Sequence, residues 1–97
     1  MPTYITLVNY TQKGIENIKE SPARLDRVKA AMKAAGGKFK AFYLTLGHYD
    51  MVVISEAPND AVYATTMLAI GAAGAVRSET LKAFTESEYK EIIASLP

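Results

Sequence analysis

The stretch Leu46-Gly47-His48-Tyr49-Asp50 lies between two apolar runs, Phe39 to Thr45 and Met51 to Ile54. Both runs are rich in β-branched and aromatic residues, and the glycine and histidine interrupt them. This pattern is typical of a β-hairpin with a short loop. The hairpin gathers a histidine, a tyrosine and an aspartate at one end of a sheet. The hairpin therefore determines how the two strands pair, and its loop is the first candidate site.

The composition limits the classes of protein to consider. A chain of 97 residues fits one domain, residues 1–97, and 49% hydrophobic residues are enough for a core. Lys and Arg number 11 against 10 Asp and Glu, so no basic field is available for nucleic acid. The chain has no cysteine, which excludes disulfides, thiolate metal sites and a cysteine nucleophile.

The N-terminal residues Met1–Ile5 lack the basic and apolar regions of a signal peptide. The longest uncharged run, Ala61 to Val76, is shorter than the ~18 apolar residues expected of a membrane-spanning helix. We therefore expect a cytoplasmic protein that does not bind membranes.

Periodicity predicts alternating strands and helices along the chain. Ser21 is the expected N-cap of the first long helix, with Pro22 at its first position. Thr85 and Glu88 match a capping box. The predicted elements are a strand over Thr3–Tyr10, a helical turn over Ile15–Glu20, a helix from Ser21 to Gly36-Gly37, strands over Lys38–Leu46 and Tyr49–Glu56, a helix from Pro58-Asn59-Asp60 to about Ala73, a strand over Ala75–Phe84, and a C-terminal helix with the stripe Tyr89, Ile92, Ile93 and Leu96.

The order β-α-β-β-α-β with a terminal helix predicts an α+β, ferredoxin-like fold. Its antiparallel sheet carries both long helices on one face. The residues expected to face the helices are Ile5, Leu7, Phe42, Leu44, Val52 and Ile54. The other face would carry Tyr4, Thr6, Val8, Tyr10, Tyr43, Thr45, Met51 and Val53. That set is too apolar to stay in water, so we expect two sheets to pack face to face in a dimeric α+β barrel.

The register of the hairpin decides these faces. A two-residue loop at Gly47-His48 pairs Leu46 with Tyr49 and places Asp50 beside Thr45. The face assignment instead needs a longer loop that pairs Leu46 with Asp50. Because a slip of one residue turns every side chain to the opposite face, the direction of Asp50 stays open.

The second long helix is apolar on nearly all sides, with Val62, Ala64, Leu68 and Ala69 outside its main stripe. Such a helix does not suit a surface that faces water. We expect it to contact another subunit or a neighbouring helix.

Several separated blocks resemble the GYD-domain family of small bacterial and archaeal proteins, beginning with Gly47-x-Tyr49-Asp50. The other blocks are Leu7–Thr11, Gly14-Ile15, Ser21-Pro22-x-Arg24, Phe42–Gly47 and Glu79–Thr85. The resemblance covers nearly the full chain and implies a ferredoxin-like fold and a dimeric α+β barrel, without a settled biochemical function. The family commonly has Arg where this chain has His48.

The hairpin is also similar to that of the effector domains of Lrp/AsnC-type regulators. Those domains share the fold, self-associate and bind small molecules between subunits. The similarity is confined to the hairpin and the fold, and no helix-turn-helix module precedes it, so it serves as an analogy.

The chain has one histidine, His48, whose ordinary pKa suits a general base that Asp50 or Tyr49 could orient. The alternative is a solvated histidine at a hairpin tip, with Asp50 fixing the turn through backbone N–H groups. A lone histidine does not make a metal site, and no metal is expected. The residues expected to bind a ligand at the barrel mouth are Tyr10, Tyr43, Thr45, His48, Tyr49 and Asp50, with Tyr4 and Thr6 deeper.

The first functional hypothesis is a self-associating module that binds a small hydrophobic or amphipathic ligand or has a regulatory role. The second is a small cofactor-independent enzyme, an isomerase or monooxygenase, in which His48 and Asp50 do acid–base work on a hydrophobic substrate. The third is a structural assembly subunit. No dinucleotide fingerprint or phosphate loop is present, so no cofactor is expected.

Overall fold

The structure is a computed structural model that describes residues 1–97. It contains a four-stranded, wholly antiparallel sheet and four helices, which confirms the predicted α+β, ferredoxin-like fold. The strands lie in the order β2-β3-β1-β4. In chain order the elements are β1 Thr3–Tyr10, α1 Gln12–Glu16, a 3₁₀ turn Ile18–Glu20, α2 Ser21–Ala34, β2 Lys38–Leu44, β3 Met51–Glu56, α3 Asp60–Ala72, β4 Val76–Ala83 and α4 Glu86–Ala94.

Side chains cap three of the four helices, and at the start of α1 the Thr11 hydroxyl accepts from the Gly14 amide at 3.2 Å. Asn59 caps α3 by accepting from the Val62 amide at 2.9 Å. Thr85 and Glu88 form the predicted capping box of α4, each accepting from the backbone amide of the other. The capping hydrogen bonds also hold the pKa of Glu88 below its usual value.

The predicted N-cap at Ser21 is wrong. The 3₁₀ turn over Ile18–Glu20 runs directly into α2, so Ser21 already has helical angles and its side chain is free for another contact. The Ser21 hydroxyl lies 3.1 Å from the Tyr10 hydroxyl instead. Pro22 therefore occupies the second position of the first turn and not the predicted first one.

The hairpin has the register of a two-residue loop. Leu44 pairs with Met51, and the Thr45 amide donates to the Asp50 carbonyl at 2.8 Å. Regular pairing ends there, so both strands are two residues shorter at this end than predicted. Gly47 has φ 131°, a conformation that glycine adopts without steric strain.

This register reverses the predicted faces of β1 and β3. Tyr4, Thr6 and Val8 are buried under the helices, as are Met51 and Val53. The predicted placement of Ile5, Leu7, Val52 and Ile54 against the helices is therefore wrong, because strand alternation puts these four on the open face. On β2, Phe42 packs towards the helices and Tyr43 is exposed, as predicted, whereas Leu44 is 70% exposed.

A bulge at Lys40 explains the aromatic spacing of β2. Phe39 pairs with Ser55 and Ala41 with Ile54, so one residue of β2 has no partner. Because the bulge inserts one residue, Phe39 and Phe42 both pack against the core in spite of their odd spacing.

Under the helices the core contains a network of hydroxyl groups. The Tyr63 hydroxyl is hydrogen-bonded to the Thr6 hydroxyl and accepts from the Ser55 hydroxyl at 3.3 Å. Both Thr6 and Ser55 are almost fully buried. A buried hydroxyl is tolerated only with a partner, so this network fixes α3 over β1 and β3.

A second polar contact ties the start of α3 to the sheet. The Tyr4 hydroxyl donates to Asp60 at 2.6 Å, and Lys82 pairs with the same carboxylate at 3.1 Å. The hydrogen bond from Tyr4, followed by that from Lys82, lowers the pKa of Asp60. Burial and the bond to Asp60 raise the pKa of Tyr4 to about 12.

No helix of the structure combines the length and the apolar character that crossing a bilayer requires. No three His, Cys, Asp or Glu side chains lie close enough together to hold a metal ion.

Candidate functional site

At the hairpin end of the sheet, the Asp50 carboxylate has a structural role. It accepts from the Tyr10 amide at 2.9 Å, and the Asp50 amide donates to the Asn9 side chain at 3.1 Å and to the Val8 carbonyl at 2.9 Å. The Thr45 hydroxyl donates to the Tyr49 carbonyl at 2.5 Å. These contacts hold the hairpin against the end of β1 and leave one carboxylate oxygen without a protein partner.

Tyr49 of the hairpin loop reaches across the sheet to β4. The Tyr49 hydroxyl donates to the Glu79 carboxylate at 2.5 Å, and this bond raises the pKa of Tyr49. His48 is exposed and its side chain makes no hydrogen bond, so neither Asp50 nor Tyr49 orients it. An acid–base role for His48 and Asp50 stays a prediction.

The expected ligand-binding residues do not line one cavity within the chain. Tyr10 lies on the face that carries the helices, where its hydroxyl meets Ser21. Tyr43 lies on the open face and is 59% exposed. Tyr4 and Thr6, expected deeper in the barrel, lie under the helices instead.

A cavity of about 490 Å³ lies elsewhere, between α2 and α3. Its floor is the sheet, at Thr6, Val8, Met51 and Val53. We call it the interhelix groove. Its helix walls are Ser21, Arg24, Leu25, Arg27, Val28, Ala31 and Met32 from α2, and Thr65, Thr66, Met67, Ala69 and Ile70 from α3.

The interhelix groove is mainly apolar, with hydroxyl groups and two arginines as its polar lining. Arg24 is engaged: its guanidinium donates to the Asn17 and Gly14 carbonyls at 3.1 and 3.4 Å and lies 3.8 Å from Glu20. Arg27 is exposed and has no ion-pair partner. The groove therefore offers an apolar trough with one available cation at its edge.

Sequence reasoning missed the interhelix groove because its walls come from segments far apart in the chain. One signal was present: the uncharged run Ala61–Val76, which predicted that α3 needs a further contact. In the structure α3 buries Tyr63, yet Leu68 on its outer side is 75% exposed.

The open face of the sheet is a second candidate surface. Ile5 and Leu7 of β1 lie beside Val52 and Ile54 of β3, and Leu81 of β4 pairs with Ile5. Helices α2 and α3 pack on the opposite face of the sheet, and these side chains are partly exposed, with Leu81 at 45%. The larger aliphatic residues of the two central strands thus lie on the uncovered face.

The third surface is the apolar stripe of the C-terminal helix. Tyr89, Ile92, Ile93 and Leu96 are 43 to 63% exposed. The ion pairs and side-chain hydrogen bonds of this segment are internal to residues 85–95. The stripe has no apolar partner of comparable extent within its own chain.

The sequence pattern of the GYD domain matches residues 4–93. The chain belongs to the GYD domain family. It is also 36% identical over 84 residues to a Thermus thermophilus protein named "Glutamine synthetase and cystathionine beta-lyase binding protein". That alignment covers 86% of this chain and 88% of the relative. The GYD match over residues 4–93 confirms the family resemblance predicted from the sequence.

Proposed function

We propose that this GYD-family protein is a self-associating binding module that regulates a metabolic enzyme by direct contact. Two copies pack through the open faces of their sheets. The observation that carries the proposal is the row of aliphatic side chains on that face, at Ile5, Leu7, Val52 and Ile54.

The alternation within β1 and β3 supports an interface. An antiparallel sheet with one solvated face usually carries polar side chains there. In this chain the hydroxyl residues Thr6 and Ser55 lie under the helices, whereas the open face carries the aliphatic residues Ile5, Leu7, Val52 and Ile54. Burial of apolar surface contributes about 25 cal/mol per Å², and stable interfaces bury roughly 800 Å² per partner, so pairing two such faces is favourable.

The border of the open face is polar, as interface rims generally are. Arg77 and Glu79 of β4 lie beside Asn9 and Leu7 on this side of the sheet. Glu79 accepts the Tyr49 hydroxyl, which keeps that part of the rim ordered. An apolar centre with an ordered polar rim supports a specific contact between copies.

The relative supplies the class of partner. The Thermus protein is named for binding glutamine synthetase and cystathionine beta-lyase. We extend this to the present chain and propose that it binds one of these enzymes, or both. This agrees with the regulatory hypothesis from the sequence and needs no catalytic group in the module itself.

Surface plasmon resonance tests the partner proposal, with purified glutamine synthetase and cystathionine beta-lyase from the organism that produces this chain. We expect saturable binding to at least one enzyme. The variant His48→Ala should bind equally well, because His48 lies outside the aliphatic row of the open face and its side chain makes no hydrogen bond in the fold. Failure of both enzymes to bind at tens of micromolar would overturn the proposed partners, and an isomerase or monooxygenase turnover lost in His48→Ala would favour the enzyme hypothesis.

A further inference from the structure

Helix α4 is well formed and lacks a partner. Its capping box is complete, and Lys90 pairs with Glu86 at 3.2 Å. Short helices are marginal in water by themselves and are stabilised mostly by packing of an apolar face. The exposed stripe from Tyr89 to Leu96 therefore requires a surface outside its own chain.

We propose that α4 of one copy binds in the interhelix groove of a second copy. The proposal rests on the self-association in the proposed function and adds a second contact to it. An amphipathic helix in an apolar groove is a recurrent recognition mode whose anchors lie at i, i+3, i+4 and i+7. Tyr89, Ile92 and Ile93 of α4 have the first three of these positions, and Leu96, at i+7, lies two residues beyond the end of the helix.

The volume and lining of the groove suit such anchors. Pockets that enclose ligand groups measure roughly 300–1,000 Å³, and the groove measures about 490 Å³. Val8, Val28, Met67 and Ile70 are among its apolar residues. The walls contain two methionines, whose flexible side chains adapt to an inserted helix.

The charges of the two elements are complementary. Helix α2 carries four basic side chains and one acidic one, whereas α4 carries three glutamates and one lysine. Glu86 lies three residues before Tyr89 and Glu88 four before Ile92, so both carboxylates border the stripe. Arg27, at the groove edge and without an ion-pair partner, is the cation placed to meet them.

The geometry favours a second copy over the helix's own chain. The groove includes Val76 and Ser78 at the start of β4, whereas α4 follows the opposite end of that strand after only Phe84 and Thr85. Strand β4 spans about 23 Å at ~3.3 Å per residue. Helix α3 also packs against β4, so it lies across the path back to the groove.

Because the chain has no cysteine, site-directed crosslinking tests the proposal. One chain carries Ile93→Cys in the stripe, and a second, with an affinity tag, carries Ala69→Cys in the groove wall. Both positions are exposed, so both variants are expected to fold. A short thiol crosslinker should link the two chains into a mixed product. The control variant Ser87→Cys carries its thiol on the opposite side of α4. The yield of mixed product should be several-fold higher with Ile93→Cys than with Ser87→Cys.

Charge reversal gives an independent readout. Arg27→Glu should reduce the mixed product several-fold, whereas Lys33→Glu, on the same helix but outside the groove lining, should leave it unchanged.

Equal yields from Ile93→Cys and Ser87→Cys in a sample that light scattering shows to be dimeric would overturn the docking of α4 and leave sheet pairing intact. A crosslink within one chain of the double variant would also overturn it. The docking of α4 would also be overturned if native mass spectrometry found a small molecule bound in the groove and Ile93→Cys of α4 gave no crosslink. A monomeric sample would overturn the proposed self-association as well.

Discussion

The rings of Tyr4 and Tyr63 stack in parallel, with centroids 4.0 Å apart and an angle of 6° between their planes. The stack joins β1 to α3, and each hydroxyl continues into a polar contact, Tyr4 with Asp60 and Tyr63 with Thr6. Since aromatic and hydroxyl residues fill the space under the helices, strand alternation directs Ile5 and Leu7 to the open face.

Removing the Tyr63 hydroxyl should destabilise the fold. In Tyr63→Phe the buried Ser55 hydroxyl loses its only side-chain partner, and Thr6 keeps only the longer contact to Thr80. We expect the free energy of unfolding to fall by about 1–3 kcal/mol, measured by urea denaturation. Tyr43→Phe, which removes an exposed hydroxyl, should change it by less than about 0.5 kcal/mol. Equal effects of the two variants would contradict a structural role for the network.

Stability should decline at alkaline pH through Tyr4. Burial, followed by the hydrogen bond to Asp60, raises the pKa of Tyr4 from 10.0 to about 12. The folded state therefore holds this proton more tightly than the unfolded state. The associated stability, about 3 kcal/mol, is fully present below pH 10 and is lost as the pH rises through about 12.

Urea denaturation between pH 9 and pH 12 measures this decline, and Tyr4→Phe should have a shallower dependence on pH than the parent chain. Parallel pH profiles of unfolding free energy for the two proteins would show that Tyr4 does not cause the alkaline loss of stability.

Two glycines should respond in opposite ways to alanine. A Cβ on Gly14 would lie 2.1 Å from the Ala75 carbonyl oxygen, which also accepts from the Thr11 amide. Gly14→Ala should therefore lower the free energy of unfolding by about 1–3 kcal/mol. Gly71, in α3, has open space around the same position, so Gly71→Ala should raise it by about 0.5–1 kcal/mol. Thermal unfolding compares the two, and a stable Gly14→Ala would contradict the close approach of α1 to the turn before β4.

Within the hairpin, Asp50 and His48 should differ sharply. Asp50→Ala leaves the Tyr10 amide without its carboxylate acceptor, so we expect a loss of about 1.5–3 kcal/mol in unfolding free energy. His48→Ala should change it by no more than about 0.5 kcal/mol. Urea denaturation measures both, and hydrogen exchange of the Tyr10 amide should accelerate only in Asp50→Ala. A larger effect from His48→Ala would indicate a role for that side chain that its exposure does not explain.

The order of strands and helices was predictable because periodicity and capping residues are local. Thr3–Tyr10 alternates, Asn59 and Thr85 cap helices, and the uncharged run after Ala61 distinguishes α3. The faces of the sheet were not predictable in the same way. Alternation tells which residues of β1 share a face but not which face is covered, and both faces of that strand are apolar.

The register at Gly47-His48 decided which face of each strand is covered, because the two-residue loop brings Val53 opposite Phe42, whereas the longer loop would bring Ile54 there. The candidate site was harder to predict from the sequence than the faces of the sheet. Tyr10 and Tyr43 are similar in sequence character, yet the fold places them on opposite faces. The interhelix groove is lined by residues of α2, α3 and several strands, so no local sequence pattern predicts it.

Light scattering coupled to size-exclusion chromatography, at micromolar concentration, tests the central claim that the open sheet face is an interface between copies. We expect at least twice the mass of one chain, and a shift to monomer in Leu7→Glu, which places a charge in the middle of the aliphatic row. Leu68→Glu, on the outer side of α3 and outside that row, should keep the parent mass. A parent protein that elutes as a monomer, or a Leu7→Glu variant that keeps the parent mass, would contradict the account.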